Sequence, residues 1–307
     1  MIKSITVTNY LGDSIKLELT RPDKTGFIVK SITGLGAPKA NINTTESATM
    51  DGGMFNSSRL SQRNIVVNLA FMQTAKESIE QIRHKSYRYF PIKKWVTLVF
   101  ETNVRVSTIK GYVESNEPDI FSNNEATSIS ILCPDPYFRS QNINETVFSG
   151  VDPLFEFPFE NNSLTEPVME LSSLEVKSEQ VVVYKGDSEV GIIINIHAIG
   201  DASDLEIYNT LTHEKMAIDT TKLAELTGNG IVANDTIIIN TNKGEKSIHL
   251  IRDGVTTNIL NCLTKDSDWF TLTKGDNIFA YKVSSEGSSS GANLQFCVSN
   301  KIIYDGV

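Results

Sequence analysis

Gly287-Ser288-Ser289-Ser290-Gly291 satisfies the G-x-S-x-G pattern in which serine hydrolases hold a nucleophile on a strained strand-to-helix turn. Here it lies between two strand-like runs with no helical pattern after it, so Ser289 reads as the tip of a flexible loop. Asp266 and Asp268 stand just ahead of Trp269, and a carboxylate pair beside an aromatic platform would suit a glycosidase or a sugar site. The blander expectation is a turn at Asp266-Ser267, followed by a strand that starts at Trp269 and buries its ring. His84, His197, His213 and His249 each lack a second histidine or a cysteine at the spacing of a local zinc site. Cys133, Cys262 and Cys297 are odd in number, widely spaced and set among apolar neighbours, as thiols made in a reducing compartment would be. Gly34-Leu35-Gly36 and Gly228-Asn229-Gly230 read as turns, because neither continues into a dinucleotide or phosphate loop. The expectation is a protein without catalytic residues, cofactor or metal, and so not an enzyme.

What positions these residues is mostly β-structure. Period-2 runs rich in β-branched residues occur at Ile2–Val7, Ile15–Leu19, Phe27–Ile32, Ile65–Phe71, Val96–Phe100, Val104–Val113 and Thr127–Leu132. One amphipathic helix is expected over Thr74–Phe90, capped by Thr74 with Glu77, buried through Ile79, Ile82, Tyr89 and Phe90, and stopped by Pro91. Pro134 and Pro136 then remove two ladder donors, so no central strand continues through Cys133-Pro134-Asp135-Pro136-Tyr137-Phe138. The N-terminal half therefore reads as a β-barrel or sandwich carrying one helix.

At 307 residues the chain exceeds the size of a single growing core. Charge divides in the same region: residues 1–140 carry 17 Lys/Arg against 13 Asp/Glu, and residues 141–307 carry 11 against 24. Neither half offers a basic aromatic stripe, so direct nucleic-acid binding is not expected. No apolar run reaches membrane-spanning length, and the N-terminus alternates rather than forming a signal sequence, so a soluble, cytoplasmically made chain is expected. These features predict an N-terminal β domain over 1–140, a linker over 141–164 containing Phe155, Phe157 and Phe159, and a C-terminal β-sandwich over 165–307. The sandwich runs are Val181–Tyr184, Val190–Ile199, Leu205–Tyr208, Thr236–Asn240, Ser247–Ile251, Asn277–Val283 and Leu294–Val298, with turns at Lys243-Gly244, Asp253-Gly254 and Gly275-Asp276-Asn277. This second domain is expected to be all-β.

Met50–Leu60 carries Met50, Met54 and Phe55 among glycines and small polar residues, a grouping seldom displayed by the surface loop of a monomer. Either the loop folds onto its own barrel or it is an arm reaching a neighbouring subunit. In the second reading Met50, Met54, Phe55 and Arg59 belong to a subunit interface.

In order and combination, several stretches resemble distal tail proteins of long-tailed bacteriophages. They are the early strand pair, the arginine-led strand Arg63–Phe71, the helix ending Tyr87-Arg88-Tyr89-Phe90-Pro91, the strand Lys110-Gly111-Tyr112-Val113-Glu114 and the Cys-Pro-Asp-Pro-Tyr-Phe exit. Asp235–Thr241, Lys243-Gly244, Asp253-Gly254, Asn258 and Trp269–Asn277 are similar to the family's second, galectin-like domain. Two departures are Asn234, where glycine is expected, and a longer stretch at Thr220–Val232. The resemblance implies a virion component assembled in the host bacterial cytoplasm, a homohexameric ring at the distal end of the tail tube. Its implied partners are the major tail tube protein, the tail-associated lysin or fibre hub, and receptor-binding or accessory baseplate proteins. The alternative is a carbohydrate-binding sandwich for host wall polymers, which would need the rings of Trp269, Tyr281 or Tyr304 exposed.

Overall fold

The alternating runs become strands because one face of each can be buried while the other stays wet. The computed structural model describes residues 1–46, 48–49, 51–153, 172–176, 179–284 and 294–307. Two units divide the chain, Met1–Asn142 together with Ile303–Val307, and Ile143–Ile302.

In the first unit the strands are β1 (Ile2–Asn9), β2 (Ser14–Glu18), β3 (Phe27–Thr33), β4 (Ala40–Glu46), β5 (Gly53–Leu60), β6 (Arg63–Phe71), β7 (Trp95–Thr102), β8 (Val106–Pro118) and β9 (Ala126–Cys133). β10 (Phe138–Val147) carries the chain out of the unit. An antiparallel run β2-β1-β7-β8-β9-β6-β3 curls around one core, since Leu17, Ile5, Leu98, Val113, Ile131, Leu69 and Phe27, one from each strand, join the same buried cluster. Gly111 on β8 sits where a Cβ would meet Ile131 and Cys133 Sγ at 2.6 and 2.7 Å, so only glycine lets β8 approach β9 so closely.

Helix α1 (Ile79–Tyr89) lies between β6 and β7 and seats Ile82 in that core. It begins later than the sequence predicts. The capping box is Ser78 with Gln81, in which Gln81 N donates to Ser78 Oγ at 3.4 Å and Ser78 N to Gln81 Oε1 at 2.8 Å. Thr74 Oγ1 instead accepts from Glu77 N at 3.1 Å in a turn ahead of the helix, which leaves the Glu77 carboxylate to pair with Lys85 at 2.8 Å. Two boxes compete within one turn of each other, and the later one keeps Ile79 and Ile82 on the core face.

The second unit holds β11 (Ser149–Pro153), β12 (Ser172–Val176), β13 (Glu179–Tyr184), β14 (Val190–Gly191), β15 (Ile193–Ala198), β16 (Ser203–Asn209), β17 (Lys215–Ala217), β18 (Thr236–Asn240), β19 (Ser247–Arg252), β20 (Val255–Asn258), β21 (Thr271–Leu272) and β22 (Gly275–Ser284). β23 (Leu294–Tyr304) brings the chain back to the first unit at Ile303. Sheets β23-β15-β18-β19-β20 and β13-β22-β16-β17 face one another, with Tyr281 of one stacked on Phe296 of the other at 3.9 Å. Asp253 and Gly254 both have positive φ, as a two-residue hairpin turn requires.

The unit is not all-β. Thr220–Thr227 forms helix α2, capped by Asp219, whose side chain accepts from Thr221 N and Lys222 N at 3.1 Å, and closed by Gly228 in the left-handed region. Arg252 ties this corner together, bonding Asp235, Thr227 and the Gly230 carbonyl. Asn234 has φ 69°, a conformation that favours glycine, and asparagine is among the side chains that tolerate it. Within the expected linker, 141–153 is strand over most of its length, with Phe148 buried, whereas Phe155, Phe157 and Phe159 lie outside the described residues.

Candidate subunit interface

β4 and β5 form a two-stranded sheet of their own, with Ala40 opposite Leu60 and Glu46 opposite Gly53. Every described residue of this hairpin except Leu60 is exposed, so the segment from Met54 to Arg59 is one strand of a ribbon and not an irregular loop. Pairing assigns its faces. Phe55 lies opposite Thr44 and Ser58 opposite Ile42, which places Phe55 with Ile42 on one side. Met54 lies opposite Thr45 and Arg59 opposite Asn41, on the other side. The register slips between Asn43 and Thr44, leaving Asn56 without a ladder partner. Ile42, Met54 and Phe55 are 64%, 57% and 66% exposed, so the ribbon shows apolar groups on both faces. Ile42 was not flagged by the sequence, and Met50 lies outside the described residues.

Arg63, the first residue of β6, stands at the hairpin's base and is only 4% exposed. Its Nη1 donates to the Gly34 and Gly36 carbonyls at 2.6 and 2.5 Å, its Nε to Pro136 O at 2.7 Å and its Nη2 to Asp305 O at 2.6 Å. The guanidinium also lies 4.6 Å from the Phe138 ring centroid. Burial lowers its pKa, and bonds from a cation to carbonyl oxygens are the compensation available there.

Asp266 pairs with Lys215 at 2.5 Å, and that hydrogen bond holds its carboxyl down at about 2, in the turn expected at Asp266-Ser267. Trp269 precedes β21 rather than starting it, and is partly exposed; Phe270 takes the inward position and is fully buried. Lys246 Nζ lies 5.0 Å from the Trp269 centroid, Arg105 covers Tyr304 at 4.2 Å, and Tyr281 is buried. Of the three rings the sugar-binding alternative calls on, Tyr281 is therefore withdrawn into the core, while Trp269 and Tyr304 are partly exposed and each lies against a cation. His84, His197 and His213 are exposed and His249 is half-buried, and among the described residues no group of three or more His, Cys, Asp or Glu is placed to hold a metal. Ser289 lies outside the described residues. Cys133 is fully buried, and desolvation pushes its thiol up to about 12; Cys262 is buried and Cys297 partly exposed. Among the described residues no helix is long and apolar enough to cross a membrane.

Residues 16–133 match the phage tail protein RIFT-related domain. Over nearly its whole length the chain has the fold of the Dit protein of phage SPP1, described as a paradigm of the hub adsorption apparatus in phages infecting Gram-positive hosts. The TM-score is 0.62 at 12% identity, covering 97% of this chain and 99% of that one. A chain of the phage P2 baseplate in its activated conformation aligns over 100% of both chains at 13% identity with a TM-score of 0.48. No curated protein matches by sequence. Residues 16–133 thus match a phage tail domain, and the chain as a whole has a mainly β, Dit-like fold, which agrees with the resemblance read from its residues.

Proposed function

We propose that this chain is a structural component of the virion, a homohexameric ring at the distal end of the tail tube. The first unit builds the ring, and the second carries contacts to the tail-associated lysin or hub and to adsorption components. The observation that carries this reading is the exposed β4–β5 ribbon with apolar residues on both faces, projecting from a phage-tail domain. A closed ring needs a heterologous contact that repeats, and a ribbon dressed on both sides supplies buried apolar area to whatever encloses it.

The test pairs light scattering and electron microscopy with thermal unfolding for Met54→Ser combined with Phe55→Ser. The parent should form rings at high concentration or with its tube neighbour, and the variant should lose mass while its melting temperature moves by less than about 2 °C. A variant that keeps its mass but loses several degrees would mean that the ribbon packs on its own domain. A parent that stays monomeric alone and beside the tube protein would sink the ring.

A further inference from the structure

A two-stranded ribbon is marginally ordered in water by itself, so the groups that fix its root decide how well it holds a direction. Both ends of the β4–β5 root meet at Arg63. Through the Gly34 and Gly36 carbonyls the guanidinium grips the chain entering β4, and Arg63 itself begins the chain leaving β5. Of the two remaining acceptors, Pro136 O lies just beyond β9, and Asp305 O comes from far along the sequence, in the segment that returns to the first unit after the whole of the second. That segment has anchors of its own. Arg105 Nη2 donates to Gly306 O at 2.7 Å, the Arg105 guanidinium covers Tyr304, and Val307 N donates to Leu35 O at 3.0 Å. Leu35 lies between the two glycines that Arg63 holds.

We propose that Arg63 and the returning segment Tyr304–Val307 form a clasp that positions the β4–β5 ribbon. With the segment seated, Leu35 is bonded on one side and its flanking carbonyls are held on the other, so the incoming strand has one course into the ribbon. With the segment lifted, Arg63 loses a buried acceptor, Leu35 loses its donor, and root and ribbon loosen together. β23 runs without interruption from the second unit into this segment. The ribbon's role as a subunit contact rests on the reading above; the clasp is a property of the free chain.

Hydrogen exchange on the full-length protein tests it with two variants. Arg63→Met removes the grip. Gly306→Val acts from the other side, since a Cβ at Gly306 would stand 3.0 Å from Leu35 O, and it leaves both arginines in place. Amides of residues 40–60 and 303–307 should exchange at least about tenfold faster together, with the β1–β7 ladder unchanged. Freed 303–307 amides beside an unchanged ribbon would overturn the proposal, as would a freed ribbon beside a protected segment, or no change in either. If Arg63→Met unfolds the domain, Gly306→Val decides. Exchange is read on chains outside any ring, so failure of the clasp and failure of the ring are separate results.

Discussion

A cysteine's surroundings fix whether it reacts, and the three thiols here differ in theirs. Burial holds the Cys133 thiol up at about 12, so near pH 8 almost none is thiolate, and Cys262 is also raised by burial and only 2% exposed. Cys297 is the partly exposed one. Alkylation of the native protein near pH 8, followed by peptide mass mapping, should therefore label Cys297 first and reach Cys133 only on unfolding. Early labelling of Cys133 would show that β9 opens locally. The sequence made all three thiols legible as core-type residues and missed the exposure of Cys297, because alternation names two faces without saying which is wet. Arg63 was legible as the head of a strand and nothing more. Its acceptors lie at residues 34, 36, 136 and 305, and spacing along the chain carries no sign of such a meeting.

Elements with one buried face were readable, and the ribbon was not, for the same physical reason. Hydrophobic alternation reports a strand half in a core, and a hairpin wet on both sides has no such pattern, so Ala40–Glu46 passed unnoticed and its partner looked like a loop. Helix α2 was carried by its Asp219 and Gly228 caps more than by apolar periodicity, with Leu223 its only buried residue. The start of α1 was ambiguous because Thr74-x-x-Glu77 and Ser78-x-x-Gln81 both satisfy the capping rule. That ambiguity is testable by mutation. Ser78→Ala should lower unfolding free energy by about 1 kcal/mol, and Thr74→Ala by less, since Thr74 braces only the preceding turn. Denaturant titration of both variants checks the order, and equal or reversed losses would return the cap to Thr74.

For the whole molecule, the charge contrast and the proline exit pointed to two domains, but a division drawn at a single place along the chain could not foresee that the last residues re-enter the first unit. Tyr304 and Val307 pack against its core cluster. We expect a chain ended after Ile302 to melt in two steps, the first unit lowered by about 5–10 °C from lost apolar contact and the second unchanged. Calorimetry of that truncation against the parent measures this, and a single shared drop would argue that the units do not unfold separately. The same re-entry imposes an order on biosynthesis. Some 160 residues separate Asn142 from Ile303, so at roughly 5–20 residues per second a ribosome exposes the completing segment about 10–30 s after the rest of the first unit. During that interval the nascent barrel lacks its closing residues. Until the second unit has been synthesised, Arg63 lacks its Asp305 acceptor and the root of the ribbon is incompletely held.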